Sequence, residues 1–344
     1  MSNKKNIRVA INGFGRIGRL FFREFFGMKG FEIVAVNDLG DPENLAYLLK
    51  YDSVYRTYGR AVSVENGKLM VNGQSTVMVA EKDPIKLPWK DLNIDIVVEA
   101  TGAFESFEKS NAHIVAGAKR VVIASPAKDA EGTANGKTIL AGVNEDQLST
   151  CQISSNGSCT TNAASPVAAV LHEAFGIVKG FLSTAHAYTG TQNLVDGSTK
   201  GKDFRRGRAG AVNIVPSSTG AAISITRGIP DLVGKFDGIA LRIPIITGSI
   251  ISFTLLLKRK TTVEEVNDVL RKAAALPRWD GILKVSDEQL VSSDIIGDPV
   301  PAIVDALSTR VVDGDLVNVL VWYDNEGGYI PTLVRQVQKS AEQL

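Results

Sequence analysis

The sequence feature that most constrains the fold is a glycine-rich turn between a predicted strand and a predicted helix, in the segment RVAINGFGRIGRLFF. Its glycines, Gly13, Gly15 and Gly18, have the spacing Gly-x-Gly-x-x-Gly, and Asp38 ends the next predicted strand twenty residues after Gly18. Strand, glycines, helix and acid in this order predict a dinucleotide-binding unit with parallel strands. The simpler interpretation is a tight turn, with Asp38 as a solvated strand end.

Each glycine of this turn has its own expected task. Gly13 permits the tight turn, Gly15 lets the backbone approach a pyrophosphate at the positive end of the helix, and Gly18 permits close packing of the helix. Asp38 is expected to accept hydrogen bonds from the adenosine ribose. The other predicted cofactor contacts of the turn are Phe14, Arg16 and Ile17.

The remaining pattern divides the chain into two parts of different type. Short β-branched runs such as EIVAVND and IDIVVEA alternate with helical patterns in the first part, which predicts a parallel sheet with helical crossovers. Later segments such as GSIISFTLLLK are longer and alternate in polarity. We therefore predict an α/β protein: a Rossmann-type doubly wound parallel sheet in residues 1–158, completed by a C-terminal helix in 326–344, and an α+β catalytic domain with a largely antiparallel sheet in residues 159–325.

Charge and composition exclude several classes of function. The 344 residues carry 38 lysines and arginines against 37 aspartates and glutamates, so no global field attracts nucleic acid or a membrane surface. The start of the chain lacks the apolar core of a signal peptide, and the most apolar segment is interrupted by Arg242, Pro244 and Gly248. Two cysteines without metal-ligand spacing predict no metal site. We expect a cytoplasmic protein without a membrane or nucleic-acid partner.

A candidate nucleophile, Cys159, lies among small hydroxyl and amide residues in SSNGSCTTNAASP, at the start of a predicted helix. A helix N-terminus and a nearby imidazole both lower the pKa of a thiol, which favours the reactive thiolate. Of the three histidines, His186 ends a strand in the same part of the chain and is the candidate base. His113 and His172 are expected to be solvated on helices. Alternatively, His186 is only a structural residue.

Six further segments follow INGFGRIGR in order, and together they closely resemble phosphorylating glyceraldehyde-3-phosphate dehydrogenases: SNGSCTTN, HAYTGTQ, PSSTGAA, ALRIP, LSTRVVDG and WYDNEGGY. The resemblance extends from about Ile7 to Val337, and the spacing from Cys159 to His186 also matches. It implies oxidative phosphorylation of glyceraldehyde 3-phosphate to 1,3-bisphosphoglycerate, with hydride transfer to NAD through a thioester of Cys159, in glycolysis or gluconeogenesis.

The resemblance also implies binding residues. Asn325 would orient the nicotinamide carboxamide, and Ser125 would contact the cofactor. Two groups of residues would bind phosphates: Ser158, Thr160, Thr219 and Gly220 with Arg206 nearby for inorganic phosphate, and Thr189 with Arg242 for the substrate phosphate. From the residues alone, helix capping is the favoured interpretation of hydroxyls beside turns. An arginine within an apolar strand requires either a bound anion or a carboxylate partner.

This sequence departs from the usual family pattern at several positions. Ala163 replaces a second cysteine after CTTN, and Gly327 replaces a bulky residue after WYDNE. IASPA, which contains Ser125, stands where ISAPA is usual, and ITGSIIS replaces a more typical TPNVSVVD.

The sequence contains one feature that favours NAD as the cofactor and others that favour NADP. Asp38 should bind the ribose of NAD and repel the extra phosphate of NADP. Gly40 and the Gly197-Ser198 pair resemble family members that accept NADP, because small residues leave space for that phosphate. We expect NAD as the cofactor and NADP as a weaker one.

The polar segment 189–215 is too long for a simple strand connection. In the resembling family this loop packs against a neighbouring subunit, so a homotetramer is expected. Three other functions stay open. Erythrose-4-phosphate dehydrogenase shares the catalytic pair but releases an acid by hydrolysis. A thiol hydrolase on a dinucleotide fold would leave Asp38 and Asn325 without a purpose, and a non-catalytic nucleotide-binding protein would not need Cys159 and His186.

Overall fold

The structure is a computed structural model that describes residues 6–199 and 202–344. The chain divides into two compact units. The first contains the residues up to Ile139 together with Glu145–Gly157 and Ile330–Leu344, and the second contains Leu140–Asn144 and Ser158–Tyr329. The division thus falls one residue before the predicted boundary, because Ser158 caps the helix that begins at Cys159. Residues 326–329, predicted with the first domain, belong to the second unit.

In the described part of the first unit, nine strands form one sheet in the spatial order β3-β4-β5-β2-β1-β6-β7-β9-β8. Neighbouring strands from β5 to β8 are parallel, and β3 and β4 extend one edge in antiparallel pairing. This confirms the predicted parallel sheet. The strands are β1 Ile7–Asn12, β2 Phe31–Asn37, β3 Val62–Glu65, β4 Lys68–Val71, β5 Gln74–Val79, β6 Ile96–Glu99, β7 Arg120–Ile123, β8 Gly136–Thr138 and β9 Ile153–Ser155.

The sheet of the second unit has the order β11-β12-β10-β13-β16-β15-β14. Its pairs are antiparallel except β10 with β12 and β14 with β15, which confirms the largely antiparallel prediction. The strands are β10 Ile177–Ala187, β11 Val215–Ser218, β12 Phe236–Ile243, β13 Ser249–Leu257, β14 Leu283–Ser286, β15 Ala302–Val312 and β16 Leu316–Tyr323.

The α-helices of the described chain are α1 Arg16–Phe25, α2 Pro42–Lys50, α3 Phe107–Val115, α4 Cys159–Phe175, α5 Ala221–Gly228, α6 Val263–Ala274 and α7 Ile330–Ala341. The C-terminal helix α7 packs on α1, β6 and β7, so the end of the chain completes the first unit. Helices α4, α5 and α6 cover the second sheet, where alternate residues of β13 are buried against them. No helix among the described residues is long and apolar enough to cross a bilayer.

Candidate active site

Helix α4 and strand β10 place the candidate nucleophile beside the candidate base. Cys159 is the first residue of α4, because Ser158 and Thr161 form a capping box that starts the helix there. His186 lies one residue before the end of β10 and is 4% exposed. The Cys159 Sγ atom lies 3.4 Å from His186 Nε2. Residues 27 positions apart in the sequence therefore form one contact.

The other ring nitrogen of His186 determines which way the proton can move. His186 Nδ1 lies 2.7 Å from the Ala187 carbonyl oxygen, which only accepts, and 2.7 Å from Arg242 Nη1, which only donates, so Nδ1 satisfies one of them at a time. In the neutral tautomer that donates Nδ1–H to Ala187, Nε2 carries a lone pair and can accept a hydrogen bond from the Cys159 thiol. The geometry suits general-base removal of the thiol proton.

Burial dominates the electrostatics of this pair. It raises the pKa of the Cys159 thiol, and the charge of Arg242 with hydrogen bonds from Thr160 lowers that pKa only in part. Burial, assisted by the charge of Arg242, lowers the pKa of His186 to about 3. The sequence predicted a lowered thiol pKa, and the net direction is the opposite because desolvation outweighs the helix terminus. Both groups are therefore neutral at pH 7, and the thiolate forms when the proton passes to His186.

Arg242 lies next to His186 because the two residues are paired in register between β12 and β10. Its Nη1 is 2.7 Å from His186 Nδ1 and 3.3 Å from the carbonyl oxygen of Ala187. The Arg242 Nε atom is buried without a hydrogen-bond partner, and Arg242 forms no ion pair with a carboxylate of the described residues. Of the two explanations for a charge in this strand, a bound anion is therefore the better supported.

A second cation strengthens this preference for anions. The charge of Arg206, which lies in a short 3₁₀ turn from Phe204 to Gly207, acts on Arg242 and adds to the effect of burial in lowering the pKa of that guanidinium. Two like charges that act on each other favour a ligand that carries negative charge.

The hydroxyls predicted to bind inorganic phosphate have local partners. Ser158 Oγ accepts from the Thr161 N–H, and Thr219 Oγ1 accepts from the Ala221 N–H at the start of α5. Ser158 thus has the helix-capping role that was the alternative interpretation, whereas Thr219 forms a local turn before α5, whose N-cap is Gly220. Beside them, Gly220 has no atom within 4 Å of the position that a Cβ would occupy, so space is open at this point of the backbone.

Thr189, predicted to bind the substrate phosphate, follows β10 by two residues. Its hydroxyl lies 3.0 Å from Thr191 Oγ1, and its backbone N–H donates to Gln192 Oε1. The Nε2 atom of Gln192 is buried and has no hydrogen-bond partner among the described residues. The loop that carries these residues continues through 200 and 201, which lie outside the described residues.

Tyr323 supports the candidate catalytic pair, although the sequence motifs did not predict this role. Its hydroxyl lies 2.9 Å from Thr160 Oγ1 and 2.8 Å from Thr184 Oγ1. The ring stands edge-on to the imidazole of His186, with the ring centres 5.9 Å apart. Burial raises the pKa of Tyr323, so its phenol stays protonated. The sequence feature that could have indicated Tyr323 is its position in the motif WYDN, two residues before Asn325.

The glycine turn of the first unit has the geometry that a dinucleotide requires. Gly13 has a φ of +93°, and a Cβ there would lie 2.6 Å from Thr101 N. A Cβ at Gly18 would lie 2.1 Å from the Gly13 carbonyl oxygen, whereas one at Gly15 would meet nothing within 4 Å. Gly15 also precedes α1 without a side-chain cap. The backbone at the start of α1 thus has open space beside Gly15 and no side-chain cap, which fits a pyrophosphate.

The predicted ribose contact lies beside this turn. Asp38 Oδ2 accepts from the Phe14 N–H at 2.6 Å, and Oδ1 accepts from the Gly40 N–H at 2.9 Å. The structure therefore brings the acid and the glycine turn together, although 24 residues separate Asp38 from Phe14. The ring of Phe14 itself is fully buried against Phe22.

The remaining predicted cofactor residues of the first unit are Arg16, Ile17 and Ser125, and their observed contacts are with other groups of the protein. The Arg16 guanidinium forms an ion pair with Asp52 and lies 5.9 Å from the ring centre of Tyr55. Ile17 is half-buried in the first turn of α1. The Ser125 carbonyl oxygen accepts from Ser155 Oγ at 2.7 Å, just after the end of β7.

The prediction that His113 is solvated is wrong. His113 is completely buried, its Nδ1 accepts from the indole N–H of Trp89 at 3.0 Å, and its Nε2–H therefore donates to Glu99 Oε2 at 3.0 Å. His172 is half-buried, and its Nδ1 accepts from the Ile177 N–H just beyond α4. Both histidines have structural partners within their own units, which single-helix patterns do not reveal.

The two units have the features of one class of protein, the dinucleotide-dependent oxidoreductases: a glycine turn suited to a dinucleotide in the first and a cysteine beside a histidine in the second. Comparison with known proteins is consistent with this class. The family model described as the glyceraldehyde 3-phosphate dehydrogenase NAD binding domain matches residues 7–107, and the model of the C-terminal domain of the same family matches residues 158–325.

Similar full-length proteins carry the same family name. Proteins named glyceraldehyde-3-phosphate dehydrogenase are 45% identical over 340 residues in Borreliella burgdorferi (97% of this chain, 99% of the relative), 46% over 332 residues in Clostridium acetobutylicum (95% and 96%) and 47% over 325 residues in Geobacillus stearothermophilus (94% and 95%). The chain belongs to the glyceraldehyde-3-phosphate dehydrogenase family. The predicted resemblance is confirmed.

Proposed function

We propose that this chain oxidises glyceraldehyde 3-phosphate to 1,3-bisphosphoglycerate, with NAD as the hydride acceptor and inorganic phosphate as the second substrate. The observation that carries the proposal is the 3.4 Å contact between Cys159 Sγ and His186 Nε2 beside the buried guanidinium of Arg242. Family membership and the NAD-binding domain support the choice of substrate and cofactor.

In the first half of the reaction, the Cys159 sulfur attacks the aldehyde carbon and forms a thiohemiacetal. His186 Nε2 takes the proton that the thiol gives up and returns it to the oxygen of the adduct. In the next step the neutral imidazole accepts the proton of this hydroxyl as hydride leaves the carbon. NAD, when bound, supplies the hydride acceptor. The product is a thioester of Cys159. The Cys159 N–H at the start of α4 can stabilise the oxyanion of each tetrahedral adduct.

In the second half, an oxygen of inorganic phosphate attacks the thioester carbon, the C–S bond breaks, and the sulfur leaves as a thiolate. The guanidinium groups of Arg242 and Arg206 suit the two phosphates that this step brings to the site. Gly220, with open space beside its backbone, supports binding of one of these anions at the start of α5.

The test is the formation of NADH from glyceraldehyde 3-phosphate and NAD, measured by absorbance with and without inorganic phosphate. We expect multiple turnovers only with phosphate, and an acyl phosphate that hydroxylamine traps. Steady turnover without phosphate to a free acid, fastest with erythrose 4-phosphate, would support the hydrolytic alternative. Hydrolysis of thioesters without any need for NAD would support a thiol hydrolase.

NAD is expected to be preferred over NADP. The Asp38 carboxylate lies at the glycine turn and repels the additional phosphate of NADP. Asp38→Ala should reduce the ratio of kcat/KM for NAD to that for NADP by about tenfold or more, mainly by improving NADP. Asp38→Asn, which removes the charge at nearly constant shape, is the matched variant. If wild type has the higher kcat/KM with NADP, Asp38 does not determine the cofactor preference. The loop around Ser198 then determines it instead.

A homotetramer is proposed from the loop at residues 189–215. Five of its apolar side chains are at least about two thirds exposed in the single chain: Leu194, Val195, Phe204, Val212 and Ile214. Such a set favours burial against a second copy of the chain. Sedimentation should give about four times the chain mass of 36.8 kDa, and Phe204→Glu should weaken assembly. Val115→Glu changes an equally apolar exposed residue on α3 and serves as the control. A fully active monomer would contradict the proposal.

We also propose a cytoplasmic location.

A further inference from the structure

The segment that replaces the usual TPNVSVVD pattern surrounds the side chain of Asn325. Asn325 Oδ1 lies 2.9 Å from Ser249 Oγ, 3.1 Å from Gly248 N and 3.2 Å from Thr247 Oγ1. Asn325 is 5% exposed, Thr247 2% and Ser249 0%. These groups therefore form a buried cluster at the start of β13 and the end of β16.

The hydrogens of this cluster can be assigned one by one. The Gly248 N–H can only donate, so the Asn325 atom that faces it is the amide oxygen. Ser249 Oγ accepts from the Ala187 N–H at 3.1 Å, so its own proton points to Asn325. Thr247 Oγ1 lies closer to Asp324 Oδ1, at 2.9 Å, and donates its proton there. Gly248 and Ser249 thus satisfy the two lone pairs of Asn325 Oδ1.

Glycine is required at position 248 for this arrangement. Gly248 has a φ of +88°, and a Cβ there would lie 2.3 Å from the carbonyl oxygen of Ser292. Any other side chain would force the backbone away from the conformation that directs the Gly248 N–H to Asn325.

The amide of Asn325 consequently has one favoured orientation. Every hydrogen bond that the described residues make to its side chain goes to Oδ1. The Nδ2 amino group is held on the opposite side, where it can donate to the carbonyl oxygen of a ligand. A flipped amide would place Nδ2 against the Gly248 N–H and lose both bonds to Oδ1.

We propose that Ser249 is a positioning residue for the nicotinamide end of the cofactor. Its hydroxyl connects the Asn325 amide to Ala187, the neighbour of His186 in β10. One buried hydroxyl thereby fixes both the group that orients the carboxamide and the strand end that carries the base. The inference rests on the proposed function, in which Asn325 donates to the nicotinamide carboxamide.

Binding of NAD and of ADP-ribose, measured by isothermal titration calorimetry, tests this role, because ADP-ribose lacks the nicotinamide ring. Ser249→Ala should raise the Kd for NAD roughly 3- to 10-fold, the effect expected for loss of one hydrogen bond, and leave the Kd for ADP-ribose unchanged. A general structural disturbance would raise both values together. Equal changes for the two ligands, or no change for either, would overturn the proposal.

Two further variants keep the test decisive. Ser249→Cys fills nearly the same volume with a weak donor and should show a smaller shift of the same sign, for NAD alone. Ser252→Ala removes a hydroxyl from the same strand, where it accepts from Asn318 Nδ2, and should leave both Kd values unchanged. Because these measurements need no turnover, they are separate from the proposed function, which fails if wild type forms no NADH with phosphate.

Discussion

Cys159→Ser is expected to abolish dehydrogenase turnover while NAD still binds. The serine hydroxyl is far less acidic than a thiol, and the site that already raises the pKa of Cys159 by burial would hold the hydroxyl proton more strongly still. Loss of a covalent nucleophile lowers kcat by up to about 10⁶-fold. NADH formation gives kcat, and calorimetric titration with NAD gives the retained affinity.

Cys151→Ser provides the matched control for this variant. Cys151 is the other free cysteine, lies buried in the first unit and contacts the Leu148 carbonyl oxygen through its sulfur. Its replacement should leave kcat close to wild type. Substantial turnover by Cys159→Ser would show that the reaction does not proceed through a thioester.

His186→Asn is expected to slow hydride transfer by about 10² to 10⁴, the usual contribution of a general base. The asparagine side chain cannot take the proton that His186 Nε2 receives from the thiol and from the thiohemiacetal hydroxyl. Single-turnover formation of NADH measures this step directly. His172→Asn, which changes a histidine that accepts from the Ile177 N–H and lies 3.7 Å from the Asp231 carboxylate, should have no comparable effect.

His186→Asn should also change the pH dependence of alkylation at Cys159. In wild type the thiolate forms as its proton passes to His186, which lies 3.4 Å away. Without the imidazole, burial still raises the thiol pKa and the proton must leave to solvent, so iodoacetamide should require a higher pH. An alkylation profile that matches wild type would show that His186 does not control the thiol.

Much of the fold could be predicted because its signals are local. The turn from Gly13 to Gly18 is a backbone motif in which each glycine meets a steric requirement, and the structure shows the same requirements at Gly13 and Gly18. Strand length and alternation likewise separated the parallel sheet from the antiparallel one. These properties depend on residues a few positions apart, so they can be read without a tertiary structure.

The catalytic pair could be named but its electrostatics could not. The motifs identified Cys159 and His186, and their 3.4 Å contact agrees with a shared task. The direction of the thiol pKa depends on how much water the packed site excludes and on where Arg242 lies. Both depend on contacts between α4, β10 and β12, which follow from packing and not from the motif itself.

What the sequence alone determined is therefore the class of each unit, the glycine turn with Asp38, and the positions of the candidate nucleophile and base. Only the tertiary structure decided that His113 is buried with Trp89 and Glu99, and that Ser249 holds the amide of Asn325. The physical reason is that a hydrogen bond within a core requires the exclusion of water and the meeting of distant strands. Ser249 and Asn325 are 76 residues apart, and no local pattern records their contact.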